Sequence, residues 1–494
     1  MEGLDLRPAI AVAVPAAAAA LTLLFGDRPR LREGASFLAP IATCAVLASM
    51  VPEVLAGSEP ATALITLAPG FRLGLTADAF GMLFALLASG LWVLTALYNV
   101  GYLRATRERH QTSYYACFAL CVAAAVGIAL AANLITLFIF YEVLTLATYP
   151  LVAHKRTPEA ITAARKYLAY TLGAGQVLLL AIVATAVLAP GADLRPGGFL
   201  AGTASDPALW VLFVLFMIGC GVKAALMPLH AWLPAAMVAP TPVSALLHAV
   251  AVVKAGTFAC VRVVGWVFGV DLMRDLGADL VLATAAAVTI LVASVRALGE
   301  SNLKRRLAYS TVGQLSYIVL GAGLGSAAAL AGGMFHMAAH GLLKITLFFC
   351  AGSIYVRTGK TEIPALEGIG RTMPATMAAF TIGALGLTGM PALAGFVGKW
   401  QLGLGSLDAG HGVFVGVLVA SGLLNAAYFL PIVHGAFFGG SGGIRFDEAP
   451  PALWIPLAVT AAASIAIGVA PGAALPFYEL AWQAARAVVA GGTS

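Results

Sequence analysis

Residues 219–254 read GCGVKAALMPLHAWLPAAMVAPTPVSALLHAVAVVK. Two apolar helical runs meet here at a turn broken by proline, and between them they carry Lys223, His230, His248 and Lys254. The apolar flanks place these four side chains in the hydrocarbon layer of a bilayer, where a single lysine at mid-depth costs about 2.5–3.5 kcal/mol on insertion scales. The default role of so costly a residue is functional.

The rest of the chain has the same character. It is 494 residues long, 61% hydrophobic and only 10% charged, with a mean hydropathy of +0.94. Soluble domains carry about 25% charged residues. Apolar runs long enough to cross the hydrocarbon recur from one end to the other. The composition therefore predicts an all-α polytopic membrane protein with no sizeable soluble domain. Fourteen spans are expected, near 8–25, 35–56, 77–99, 113–131, 133–153, 161–189, 208–237, 243–268, 276–298, 308–326, 328–354, 374–405, 411–438 and 451–470. The seventh and twelfth are broken by Pro228 and Pro391. Residues 61–76 read as an extended loop or small hairpin about Pro69-Gly70, and residues 474–490 as a short amphipathic tail. The first apolar run follows Glu2, Asp5 and Arg7 instead of a basic segment, so a retained span is expected over a signal peptide. All six cysteines fall in apolar segments with no C-x-x-C spacing and read as packing residues.

The net charge of +6 is a topology signal. Of the 28 lysines and arginines, 18 lie in the odd-numbered loops and four on the opposite side. The positive-inside rule puts the odd loops in the cytoplasm and both termini outside, with no nucleic-acid surface implied. A bacterial inner membrane is the expected location. Four lysines remain within the spans: Lys223, Lys254, Lys344 and Lys399. Of the 22 acidic residues only Glu142 lies well inside one, in NLITLFIFYEVLTLATYPLVA. Such charges must face one another or a hydrated interior.

Pro228 and Pro391 each free a backbone carbonyl four residues earlier, that of Ala224 or Leu387. Lipid does not tolerate free backbone groups, so both breaks are expected to line an enclosed polar path. Lys223 precedes one break, and Lys399 follows the other in GMPALAGFVGKWQ. Each break falls in the fourth span of a group of five, residues 113–268 and 276–438. Five spans per unit invert the second unit relative to the first, an architecture common among transporters. The expected units are thus helices one to three (1–112), the two inverted five-helix repeats, and a final helix with its tail (439–494).

His336, His340 and Lys344 (HMAAHGLLK) recur at i, i+4 and i+8 and form one polar stripe about 12 Å long on the eleventh helix. Neither an intervening glutamate nor a third ligand supports zinc binding there. His titrates near neutral pH and a desolvated Lys can do so, which favours a protonatable wire. On a continuous helix His248 and Lys254 stand about 120° apart and about 9 Å along the axis, successive stations and not one contact. Glu142 needs a cationic partner, and Lys223 is the first choice. GAGLGS (321–326) mimics a phosphate loop, but it sits in an apolar span and reads as helix packing. No cofactor site, metal site or catalytic triad is expected.

Three stretches, KAALMPLHAWLPAAMVAPTPVSALLHAVAVVKAG, LKRRLAYSTVGQLSYIVLG and FHMAAHGLLKITLFF, resemble the proton-translocating antiporter-like family. It includes a large membrane component of Mrp-type Na⁺/H⁺ antiporters, the antiporter-like subunits of respiratory complex I, and membrane subunits of related hydrogenases. The resemblance implies fourteen helices with inverted five-helix repeats. It also implies a Glu142–Lys223 pair, central stations at Lys254 and His248, a relay through His336, His340 and Lys344, and a terminal lysine at Lys399. Where the family often has an acidic residue before LKR-x-LAYST, this chain has Asn302. The implied function is a proton-conducting subunit of a multi-subunit Na⁺/H⁺ antiporter, with other membrane subunits as partners and no catalytic cofactor of its own. The alternative is a proton-pumping subunit of a complex I-type dehydrogenase or membrane-bound hydrogenase.

Overall fold

The computed structural model describes residues 5–68, 71–440 and 446–491. Helices α1 (Arg7–Leu24) and α2 (Pro29–Leu55) lead into an antiparallel hairpin, β1 (Ala61–Ala68) and β2 (Phe71–Thr76). Pro69-Gly70, the expected turn, lies outside the described residues. The chain continues through α3 (Ala79–Ala105), α4 (Gln111–Ala129), α5 (Leu134–Val152), α6 (Pro158–Leu188) and α7 (Asp206–Lys223). A short α8 (Trp232–Ala235) follows the first proline break, then α9 (Thr241–Ala249) and α10 (Val252–Arg262), which runs into a π-helical turn at Val263–Phe268. After a short α11 (Val270–Asp275) come α12 (Ala278–Leu298), α13 (Leu303–Leu324) and α14 (Ala327–Thr358). The chain closes with α15 (Pro374–Thr388), α16 (Ala394–Asp408), α17 (Val413–Phe438), α18 (Pro451–Val469) and α19 (Phe477–Gly491).

Among the described residues thirteen helices are long and apolar enough to cross a membrane. The pair α15–α16, 15 residues each, makes the remaining expected crossing in two pieces. Helix starts follow their caps. Asp78 accepts from Gly81 N at 2.7 Å, Asn133 from Thr136 N at 2.9 Å, and Thr157 caps α6 ahead of Pro158 at its first position.

Helix α14 is the axis of the molecule. It packs on α9, α13, α15, α16, α18 and α19, and its most apolar window is wholly buried, as is that of the α9–α10 crossing. By contrast α1, α2, α17 and α18 bury only about a third of theirs and form the rim. The innermost helices are therefore those that carry most of the ionisable residues. Small residues permit the packing. A Cβ on Gly323 would meet Ala283 N at 2.7 Å, so GAGLGS is the seam between α13 and α12. The tail forms the amphipathic α19, with Phe477, Leu480, Ala484 and Val488 inward.

One expectation fails in the eighth crossing. Val250 and Ala251 leave helical geometry (Ala251 φ −104°, ψ −87°), so α9 and α10 are separate rods. The Ala251 N–H reaches back five residues to the Leu246 carbonyl at 2.9 Å. Neither residue is Pro or Gly, so local composition gives no sign of the break. Gly341 of α14 sits against it, where a Cβ would lie 3.2 Å from the Ala249 carbonyl oxygen. The spacing of His248 and Lys254 expected for one straight helix does not apply.

Candidate functional site

The first cluster lies between α5, α6 and α7. Lys223, wholly buried at the end of α7, donates to the Tyr141 carbonyl at 2.6 Å and sits 3.3 Å above the Tyr141 ring. Cation–π contact and a carbonyl acceptor together replace the water the ammonium has lost. Glu142 points elsewhere. Its two carboxylate oxygens are buried without hydrogen-bond partners and press on Gly175 of α6, where any Cβ would collide with them. The expected Glu142–Lys223 contact pair is therefore absent. Consecutive helical residues differ by about 100°, so turning Tyr141 to Lys223 turns Glu142 toward α6. Gly256 of α10 lies directly on the Lys223–Ala224 backbone, which brings the next cluster up against this one.

That second cluster is continuous. Lys254 Nζ lies 2.6 Å from His340 Nδ1. The His340 and His336 rings stack with centroids 6.3 Å apart, and His336 Nε2 lies 3.0 Å from Gln314 Oε1. Gln314 Nε2 donates to the Leu387 carbonyl at 3.3 Å. Lys399 Nζ donates to the same carbonyl at 2.6 Å and to that of Thr388 at 3.2 Å. Lys254, His340 and His336 are wholly buried, and Lys399 is partly exposed. Hydrogen-bond partners set the tautomers. With Lys254 protonated, His340 Nδ1 accepts and Nε2 carries the proton; His336 Nε2 donates to Gln314, leaving Nδ1 an acceptor. His340 Nε2 and His336 Nδ1 have no other partner, so one unclaimed donor is matched by one unclaimed acceptor.

Other expected members stand apart from this track. Both His248 nitrogens lack partners, and the ring lies on Phe348 with centroids 4.7 Å apart. His230 is half-buried beside Tyr309. Lys344 does not reach His340; it donates to Ser310 Oγ at 2.9 Å and the Leu307 carbonyl at 3.3 Å. Four contributors went unnoticed in the sequence: Tyr141, Ser310, Gln314 and Asn425. Gln314 and Asn425 were visible as lone amides inside apolar spans, a costly placement that marks them.

The proline breaks behave as expected in one respect and not in another. The freed Leu387 carbonyl collects Lys399, Gln314 and Asn425 Nδ2 (3.1 Å). At the first break it is the Val222 carbonyl that accepts a side-chain donor, Trp232 Nε1 at 2.7 Å. Each break also holds an alanine in the left-handed region, Ala225 (φ 56°) and Ala392 (φ 67°), a local strain typical of functional segments. But Pro228 and Pro391 are exposed on the flank of this chain. The inward carbonyl lines the interior, and the ring itself faces out.

At the end of the molecule where α13 begins, Asn302 caps that helix through Arg305 N (3.2 Å) and donates to Glu362 Oε1 at 2.9 Å. Ser301 donates to the other oxygen, also at 2.9 Å. These bonds hold the Glu362 carboxyl below its ordinary value. A carboxylate thus stands beside Asn302 after all, supplied from the loop after α14. At the opposite end Arg262 forms a buried bidentate pair with Asp78, the cap of α3. Burial, with the Asp78 charge close by, raises the nearby Glu59. Among the described residues no group of three or more His, Cys, Asp or Glu side chains is placed to hold a metal.

A long-helix bundle with a buried Lys–His–His–Lys track is a membrane-embedded architecture for ionisable groups. Residues 131–424 match the family described as NADH:quinone oxidoreductase/Mrp antiporter, TM, and the chain belongs to that family. It is 35% identical over 406 residues to NADH-quinone oxidoreductase subunit N of Desulforudis audaxviator, covering 77% of this chain and 80% of that one. It is 30% identical over 405 residues to Na(+)/H(+) antiporter subunit A1 of Staphylococcus aureus, covering 75% of this chain but only 48% of that longer protein. Among solved structures it superposes on a chain of the Mrp complex from Dietzia sp. DQ12-45-1b with a TM-score of 0.88, 25% identity and 98% of each chain covered. A chain of an archaeal membrane-bound sulfane sulfur reductase gives 0.86 and 27% identity, covering 98% and 97%. The protein is a multi-pass membrane protein whose relatives are subunits of multi-subunit membrane complexes.

Proposed function

We propose that this chain is the proton-conducting subunit of a multi-subunit Na⁺/H⁺ antiporter. The observation that carries the reading is the unbroken track from Lys254 through His340, His336, Gln314 and the Leu387 carbonyl to Lys399. A proton enters near Glu142–Lys223 and passes to Lys254, with His248 beside it as a lateral station. It moves onto His340 Nδ1 as Nε2 releases its own proton, through a water, to His336 Nδ1. Gln314 and the Leu387 carbonyl hold His336 and Lys399 in register and do not themselves carry the proton. Tyr141 lies between Glu142 and Lys223, so the two act on each other through space and a bridging water instead of a contact pair. His230 serves the half-exposed mouth beside the first break.

The same reading places the chain in a bacterial inner membrane with both termini outside, and treats residues 113–268 and 276–438 as inverted repeats. Other membrane subunits cover the flanks where Pro228 and Pro391 are exposed, and Na⁺ is the exchanged cation. Glu142→Ala, Lys223→Ala and Lys399→Ala, each in the assembled complex, are expected to abolish ΔpH-linked Na⁺ efflux. Near wild-type efflux in all three would overturn the reading. The 35% identity to a quinone oxidoreductase subunit N favours a second reading, a proton-pumping subunit of a redox-driven complex. Subunits that copurify in mild detergent separate the two: cation-transport subunits support the first, and a redox arm the second.

A further inference from the structure

Lys344 lies off the histidine track, yet it reaches the same end point by another way. Its ammonium donates to Ser310 Oγ at 2.9 Å. Ser310 Oγ is 2.9 Å from the Tyr428 hydroxyl, which donates to Asn425 Oδ1 at 2.6 Å. Asn425 Nδ2 then donates to the Leu387 carbonyl at 3.1 Å, the acceptor that holds Lys399. A phenol has one proton. With that proton on Asn425, Ser310 must donate to Tyr428, and its lone pair is left for Lys344. While Lys344 is protonated the chain has a single consistent direction, Lys344 to Ser310 to Tyr428 to Asn425 to Leu387.

Once Lys344 gives up its proton, the nitrogen becomes an acceptor. Ser310 turns its O–H toward Lys344, Tyr428 turns toward Ser310, and Asn425 loses the donor that fixed its amide. The Tyr428 ring stays in place: it packs on Phe429 with centroids 4.6 Å apart, and Arg306 donates to the Tyr428 backbone carbonyl at 3.0 Å. Only the hydroxyl proton moves. An amide is a poor proton carrier, so this chain transmits orientation and delivers no proton.

We propose that Tyr428 is a positioning residue that reports the protonation state of Lys344 to Lys399 through Asn425 and the Leu387 carbonyl. The inference rests on the proton-conducting reading above. The titratable and charged groups around the link are Arg306 and Tyr317 of α13, His340 of α14, Lys254 of α10, His248 of α9 and Lys399 of α16. None of them hydrogen-bonds the Tyr428 hydroxyl.

The test is the pH profile of ΔpH-linked Na⁺ efflux in the assembled complex, for Tyr428→Phe, Ser310→Ala and the double variant. Phenylalanine keeps the ring and its packing. Each single variant is expected to move the pH of half-maximal efflux by about half a unit, about a threefold change in proton affinity. The double variant should move it no further, because one link is broken twice. A uniform drop in rate with an unmoved profile would reduce Tyr428 to packing and overturn the proposal. Two shifts that simply add would do the same, since the residues would then act independently. If Lys399→Ala conducts like wild type, the proton-conducting reading itself has failed; a normal loss in Lys399→Ala with an unmoved Tyr428→Phe profile removes this link alone.

Discussion

Lys254 Nζ and His340 Nδ1 lie 2.6 Å apart, although 86 residues separate them in sequence. The contact ties α10 to α14, the two most deeply buried crossings, and it gives a buried ammonium its acceptor. Removing the imidazole therefore has two separable effects. His340→Ala leaves Lys254 without that acceptor, at a cost of about 1–3 kcal/mol for an unsatisfied buried donor. His340→Gln keeps an acceptor but does not titrate. Both variants are expected to slow Na⁺ efflux by roughly 10²-fold, the low end for loss of a positioned proton-transfer group. Only the alanine variant should also lower the melting temperature in detergent. A glutamine variant with wild-type efflux would assign His340 a purely structural part.

Gly175 separates geometry from charge at the first cluster. A methyl group there collides with a Glu142 carboxylate oxygen, the mobile end of a flexible side chain. The carboxylate can swing away, so Gly175→Ala should shift stability by no more than about 0.5 kcal/mol. Every charge is retained, yet Glu142 is re-aimed. Efflux is expected to fall severalfold with an unchanged thermal transition. Unchanged efflux would mean that the present direction of the Glu142 carboxylate is immaterial.

The Glu362 site makes a pH prediction outside the membrane. Its carboxyl is held below the ordinary 4.5 by Asn302 and Ser301. A folded-state value depressed below the unfolded one contributes stability that is present above the unfolded value and lost as pH falls through the folded value. Wild type should therefore melt slightly above Glu362→Gln at pH 7, and the gap should close as pH drops below about 4. The group is well exposed, so the gap is small. A gap that persists in acid would point to packing of the loop instead.

Much of this was legible from residue pattern alone. Long apolar runs and the prolines gave the bundle, the two broken crossings and the freed Leu387 carbonyl. Lone charges in apolar spans gave most of the cluster residues. The break at Val250–Ala251 was hidden, because it is set by the approach of α14 at Gly341 and not by a local breaker. The direction of Glu142 was hidden for a similar reason. Helical spacing says that Tyr141 and Glu142 face different ways, but only tertiary packing says which of them meets Lys223. Polar hydroxyls such as Ser310 and Tyr428 are common in helices, and their alignment into one chain emerges only when α13, α14 and α17 are brought together.

The gap between α9 and α10 also changes how the eighth crossing can respond. An unbroken cylinder rotates as one body, so any twist that re-aimed His248 would re-aim Lys254 by the same angle. Cut at Val250–Ala251, the crossing has torsional slack between the two residues. Lys254 can remain seated on α14 while the segment carrying His248 turns, and the two are free to be addressed one after the other.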